Sequence, residues 1–170
     1  MRKALSLLYR ACGALAGLFM VAIAAFILFE IGGGLFGYVA RSADEFAGYC
    51  MASSSFLALA YTFGAGEHIR VSLFLQRLPP RSRRVAEFWC LAAGSYLSGY
   101  LAWFSVKMVY VSWQLNDVSQ GLVATPLWIP QLGMAVGSTV FFIAVLERLA
   151  DLLLGGAVLS DADGDARTDR

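Results

Sequence analysis

Residues able to do chemistry are few in this sequence, and they are scattered. His68 is the sole imidazole, and Cys12, Cys50 and Cys90 are the three thiols. A zinc centre needs His, Cys and carboxylate ligands brought together, and no cysteine here has a CxxC partner. One histidine cannot supply both axial ligands of a haem. The cysteines fall within or at the ends of apolar stretches and read as small buried hydrophobes. Catalysis by His68 would need a nucleophile or acid beside it. Glu67 and Ser72 are the candidates, and no supporting motif surrounds them. Ser53, Ser54 and Ser55 offer hydroxyls to an ion, yet three successive helical positions face three directions. Hydrogen bonding between helices is the better use for them. Near the end of the chain, Asp161, Asp163, Gly164 and Asp165 resemble the start of a calcium loop. The glycine comes too early there, and the bidentate glutamate is missing. These residues point away from an enzyme, and toward no cofactor, no metal and no nucleic-acid partner.

Charge is more informative by its position than by its total. The 170 residues are 59% hydrophobic and 15% charged, with a formal net charge of +1. Four apolar segments, near residues 11–38, 46–66, 85–113 and 127–154, are each long enough to cross a bilayer as a helix. Their runs are continuous rather than alternating, which excludes a closed barrel. At ~1.5 Å per helical residue, Glu30 stands ~29 Å from residue 11, and Lys107 ~33 Å from residue 85. Glu147 and Arg148 lie ~30 Å from residue 127 by the same measure. The stretches 11–29, 46–66, 88–106 and 127–146 hold no Asp, Glu, Lys, Arg or His. Ionisable groups at mid-depth usually mark an ion path or substrate site, and here there are none. Glu30 and Lys107 come nearest. They either pair across spans 1 and 3, bind a partner, or snorkel to headgroups, and snorkelling is the simplest of these.

The positive charges cluster between spans 2 and 3. Residues 67–84, EHIRVSLFLQRLPPRSRR, carry five of the thirteen basic residues, the histidine and a Pro-Pro pair. Val71, Phe74, Leu75 and Leu78 follow helical spacing, with Arg70 and Arg77 together on another flank. That pattern predicts a short amphipathic helix in the membrane interface, ended by Pro79 and Pro80. Basic residues also flank span 1 at Arg2, Lys3 and Arg10. The 39–45 connection has only Arg41, and 114–126 has no Lys or Arg. Both termini and the 67–84 loop are therefore expected in the cytoplasm. Tyr38, Tyr110, Trp113 and Trp128 would form the outer aromatic belt, and Tyr9, Tyr61, Phe88 and Trp89 the inner one. The opening residues imitate a secretion signal, but the apolar run is too long and no small-residue site closes it. An uncleaved first span is expected. Thr125 and Pro126 suit the N-cap and first position of span 4, and residues 156–170 suit a disordered polar tail.

Small residues recur at helical spacing: Gly13 and Gly17 in span 1, and Gly94, Ser98 and Ala102 with Ser95 and Gly99 in span 3. Span 4 has Gly133 and Gly137. Such faces let helix backbones approach closely, within the chain or across to a partner.

The run AYTFGAGEHIRVSLFLQRLPPRSRR after span 2 resembles the DctQ-type small membrane subunits of TRAP transporters. So do TPLWIPQLGMAVGS at the start of span 4 and Glu45 before span 2. His68, Ile69, Arg70 and Val71 are the most specific part; Ser72 stands where the family commonly has an acid. The resemblance spans residues 10–155. It implies a four-helix inner-membrane subunit that braces a large membrane subunit, in sodium-driven uptake of an organic acid delivered by a periplasmic binding protein. His68, Arg70, Arg77, Arg81, Arg83 and Arg84 would then meet lipid headgroups and the partner's cytoplasmic edge. Arg41, Asp44, Glu45, Asn116, Asp117 and Gln120, the polar outer residues, would meet the binding protein. The competing readings are a small channel or transporter acting alone as a homo-oligomer, and a membrane enzyme.

Overall fold

The computed structural model describes residues 2–37, 42–64, 80–121 and 123–154, and the described residues form four helices. These are α1 (Arg2–Leu35), α2 (Ala43–Gly64), α3 (Pro80–Leu115) and α4 (Trp128–Leu153). Among the described residues there is no strand, only a single bridge between Val118 and Pro126. Among the described residues, two stretches, Leu5–Leu35 and Trp128–Leu153, are long and apolar enough by themselves to cross a membrane. The expected interfacial helix, the side chains of Arg81 and Arg83, and the 156–170 tail lie outside the described residues, as do Arg41, His68, Arg70 and Arg77.

Each helix starts and stops for a local reason. No residue between Arg2 and Arg10 breaks a helix, so α1 begins well before the apolar run does. It ends as Gly37 turns left-handed at φ +71°. In α2, Asp44 and Glu45 occupy the first turn, where negative charge meets the positive end of the helix dipole. The Phe46 N–H donates to Ser42 O at 3.1 Å. Pro80 starts a helix, its missing N–H being harmless at a first position. This corrects the expectation that placed Arg81, Arg83 and Arg84 in the preceding loop, since they ride on the first turns of α3. Asn116, at φ +51°, closes the far end of α3. Thr125 is not the cap of α4: its hydroxyl donates to Val123 O at 3.2 Å, and the helix starts without a side-chain cap.

The helices pack as a row, α1 on α2, α2 on α4, and α4 on α3. The core is shared by three of them. Tyr9, Cys12 and Ala16 of α1 meet Leu57 and Ala60 of α2, and Val140 and Ala144 of α4. The contacts depend on missing side chains. A Cβ at Gly137 would stand 2.7 Å from the Phe56 carbonyl carbon, so α4 and α2 touch backbone to side. Gly133 lies against Ser53 in the same seam. Between α1 and α2 the arrangement is reciprocal, the Tyr61 ring lying on Gly13 and the Tyr9 ring on Gly64.

Helix α3 stands outside this core. It meets α4 along Ser98, Ala102, Ser105 and Ser112, all buried and spaced three or four apart from Ser98 to Ser105, with Ser112 one heptad on, the rhythm of a left-handed seam. The serine hydroxyls fold back on their own helix, Ser105 Oγ to Leu101 O at 2.8 Å and Ser98 Oγ to Ser95 O at 3.3 Å.

Two expectations change here, and a third alternative is removed. Tyr9 is buried rather than in a belt, because it reaches across to α4. Cys90 is exposed on α3. Glu30 and Lys107 ride on α1 and α3, at opposite ends of the row, and no ion pair joins them among the described residues. The Lys107 ammonium lies 5.9 Å from the centre of the Phe104 ring.

Candidate functional site

Polar groups gather at the two ends of the bundle. At one end, residues 116–121 and 123–127 form a compact connection between α3 and α4. Ser119 N–H donates to Thr125 O at 2.8 Å, Leu127 N–H to Asp117 O at 2.9 Å, and Asp117 N–H to Ser112 O at 3.0 Å. The Ser119 hydroxyl donates to Val123 O at 3.1 Å. This loop rests on the first turns of α2. The Tyr49 hydroxyl donates to Glu45 Oε1 at 2.5 Å, and a side chain at Gly121 would collide with the Glu45 carboxylate. The hydrogen bond from Tyr49, and then the neighbouring Ser119 hydroxyl, hold the Glu45 carboxyl below its usual value, outweighing a small opposing effect of burial. Glu45 is thus a tie between α2 and the loop rather than an open contact point. Asp44, Asn116 and Gln120 are exposed and Asp117 is half-buried.

At the other end, the Tyr9 hydroxyl donates to Glu147 Oε2 at 2.8 Å, joining α1 to α4. Arg84 Nη2 donates to Leu152 O at 3.4 Å, placing a cation on the last turn of α4, where the helix dipole is negative. Arg84 therefore binds its own chain. Glu87, one turn further along α3, is a buried carboxylate.

Of the three central serines, Ser54 Oγ donates to Ala16 O of α1 at 3.0 Å, and Ser53 lies under Gly133. Ser55 bonds back to Met51 O at 2.8 Å and is exposed. The hydroxyls do not converge. Among the described residues no three His, Cys, Asp or Glu side chains form a group that would hold a metal. The remaining small residues divide: Gly99 accepts the Phe142 ring, Gly94 has only Val145 at 3.9 Å, and Gly17 meets nothing.

A model of the family described as "Tripartite ATP-independent periplasmic transporters, DctQ component" matches residues 34–155. The chain belongs to the DctQ family. The match takes in α2, α3, α4 and the 116–127 loop, while most of α1 precedes it. A comparison with curated proteins finds no match.

The DctQ family is the small membrane component of tripartite transport systems, which also have a large permease and a substrate-binding protein. Its distinctive polar features are ties between helices. Sequence reading missed Tyr49, Ser119, Tyr9 with Glu147, and the intramolecular use of Arg84. Tyr49 was within reach, being one helical turn after Glu45. The others join residues far apart in the chain, and spacing carries no trace of them.

Proposed function

We propose that this chain is a four-span scaffold of the bacterial inner membrane, holding the large TRAP subunit at fixed depth and tilt during sodium-driven uptake of an organic acid. The membership over residues 34–155 carries this reading. Both termini and the 67–84 segment face the cytoplasm, where basic loops are retained. The basic residues of 67–79 and those opening α3 would then meet the anionic membrane surface, where each Arg adds ~1 kcal/mol of attraction. The apolar middle of each span is free of charge, which suits a brace and leaves solute and ion sites to the large subunit. The exposed outer residues, Asp44, Asn116 and Gln120 with Arg41, meet the binding protein.

The test is reconstitution. Proteoliposomes with the large subunit and binding protein should take up substrate under a sodium gradient when this chain is present, and lose most uptake when it is omitted. Transport by this chain alone would instead make it a channel or carrier. Asp44→Lys should weaken uptake while the two membrane subunits still purify together, and unchanged uptake would remove Asp44 from the docking surface.

A further inference from the structure

The free side of α3 is chemically unlike the exposed flank of α1. Trp89, Tyr96, Tyr100, Trp103, Lys107 and Gln114 fall within an arc of about 60° on the helix, opposite the serine seam that meets α4. All six are exposed, Tyr96 by 73% and Trp103 by 71%. With α3 spanning from about residue 85 to 113, Tyr96, Tyr100 and Trp103 stand within ~6 Å of its midpoint. Among the described residues, the hydroxyls of Tyr96 and Tyr100 and the indole N–H of Trp103 have no hydrogen-bond partner.

Lipid is the wrong neighbour for such a stripe. Tyr and Trp facing lipid collect at the two interfaces, where their polar tips are wet. At mid-depth an unsatisfied hydroxyl or N–H faces hydrocarbon that cannot accept its hydrogen bond. Lys107 adds a cation, and it does not reach for the surface: its ammonium lies by Phe104, one turn toward the membrane centre. The exposed side of α1 shows what a lipid-facing flank looks like here, with Leu7, Leu18, Val21, Leu28 and Ile31. Beside the stripe, Tyr110 also lines a recess of about 530 Å³ between α3 and α4, with Val109, Trp113, Trp128, Leu132 and Val136. That shape would receive the side chains of another helix.

We propose that the Tyr96–Tyr100–Trp103–Lys107 stripe of α3 is where the large membrane subunit docks. It would bring helices that present hydroxyl, amide or carbonyl acceptors at mid-depth, and an acidic side chain opposite Lys107. Aromatic side chains with one polar atom are the residues most enriched at protein–protein contacts. Helix α1 then keeps its aliphatic flank in lipid. This inference rests on the scaffold reading and specifies its surface.

A photoreactive benzoylphenylalanine placed singly at Tyr96, Tyr100 or Trp103, and for comparison at Leu18, Val21 or Leu28, is irradiated in membranes co-expressing the large subunit. Adducts with the large subunit are expected from the α3 positions, at least tenfold above those from α1. The variant carrying Tyr96→Leu, Tyr100→Leu, Trp103→Leu and Lys107→Leu should still insert, and should recover at least tenfold less large subunit on affinity purification. Adducts from α1 rather than α3, or an adduct of two copies of this chain, would overturn the assignment. So would undiminished recovery by the leucine variant. If the wild-type chain itself brings down no large subunit, the scaffold reading falls. If it does, and the α3 positions give no adduct, only the docking face is wrong.

Discussion

Helices α1 and α3 are nearly equal in length, 34 and 36 residues, and both stand at the ends of the row, yet they are built for different neighbours. Helix α1 sends Tyr9, Cys12 and Ala16 into a core with α2 and α4, and ties itself to α4 through Tyr9 and Glu147. What it leaves exposed is mostly aliphatic. Helix α3 contributes nothing to that core, leans on α4 through serines and alanine, and exposes tyrosine, tryptophan and lysine. One helix completes a fold, and the other looks outward. The lesson is that exposure alone says little in a membrane subunit, whereas the hydrogen-bonding demand of the exposed atoms separates a lipid face from a protein face.

The largest way to break this contrast is at the centre of the three-helix core. Gly137→Leu forces a side chain into the backbone of α2 and should cost about 3 kcal/mol, or prevent folding. Thermal unfolding in detergent would show it. If the variant were as stable as wild type, α2 and α4 would not be in close contact. Next comes the α1–α2 seam. Gly64→Ala places a methyl group 2.6 Å from the Tyr9 ring, and should cost about 2 kcal/mol as the ring and helix shift. The same thermal measurement checks it.

A smaller effect is expected at the outer end. Folding holds the Glu45 carboxyl below its ordinary value of about 4.3, so the charged form favours the docked loop. That stabilisation is fully present above the ordinary value, and is lost as pH falls through the lower value of the folded chain. The protection of the Ser119 N–H against hydrogen exchange, measured relative to the intrinsic rate of a free amide at each pH, should fall on acidification in that window, and Glu45→Gln should flatten the dependence. A pH profile unchanged by the substitution would detach Glu45 from the loop. Smallest of all is Gly94→Ala on α3, where the new methyl group meets only Val145 at ordinary contact distance. Its effect should stay within about 0.5 kcal/mol. A cost like that of Gly137→Leu would mean that α3 is packed as tightly as the core, and the contrast between the helices would disappear.

Much is legible in the residues themselves. Long apolar runs, proline at a helix start, acids in a first turn and arginines between spans are local signals, written within a few turns of where they act. They point to an all-helical chain and its membrane family. The spacing of Gly133 and Gly137 marks a face for close approach, because a missing side chain is visible in a sequence. Its occupant is not visible, since nothing near Gly137 names Phe56.

Partnerships across the chain belong to the tertiary structure. Which helices are neighbours decided that Glu30 and Lys107 stay apart, that Tyr9 is buried beside Glu147, and that Arg84 meets the end of α4 rather than a headgroup. It also decided that the α3 stripe is left uncovered. The sequence by itself determined the elements and their preference for a membrane, because helix formation and apolar burial depend on composition and short-range periodicity. The tertiary structure alone decided which polar atoms are satisfied within the chain, because a hydrogen bond needs two groups within about 3 Å, and residues 138 apart, as Tyr9 and Glu147 are, meet only once the helices have packed.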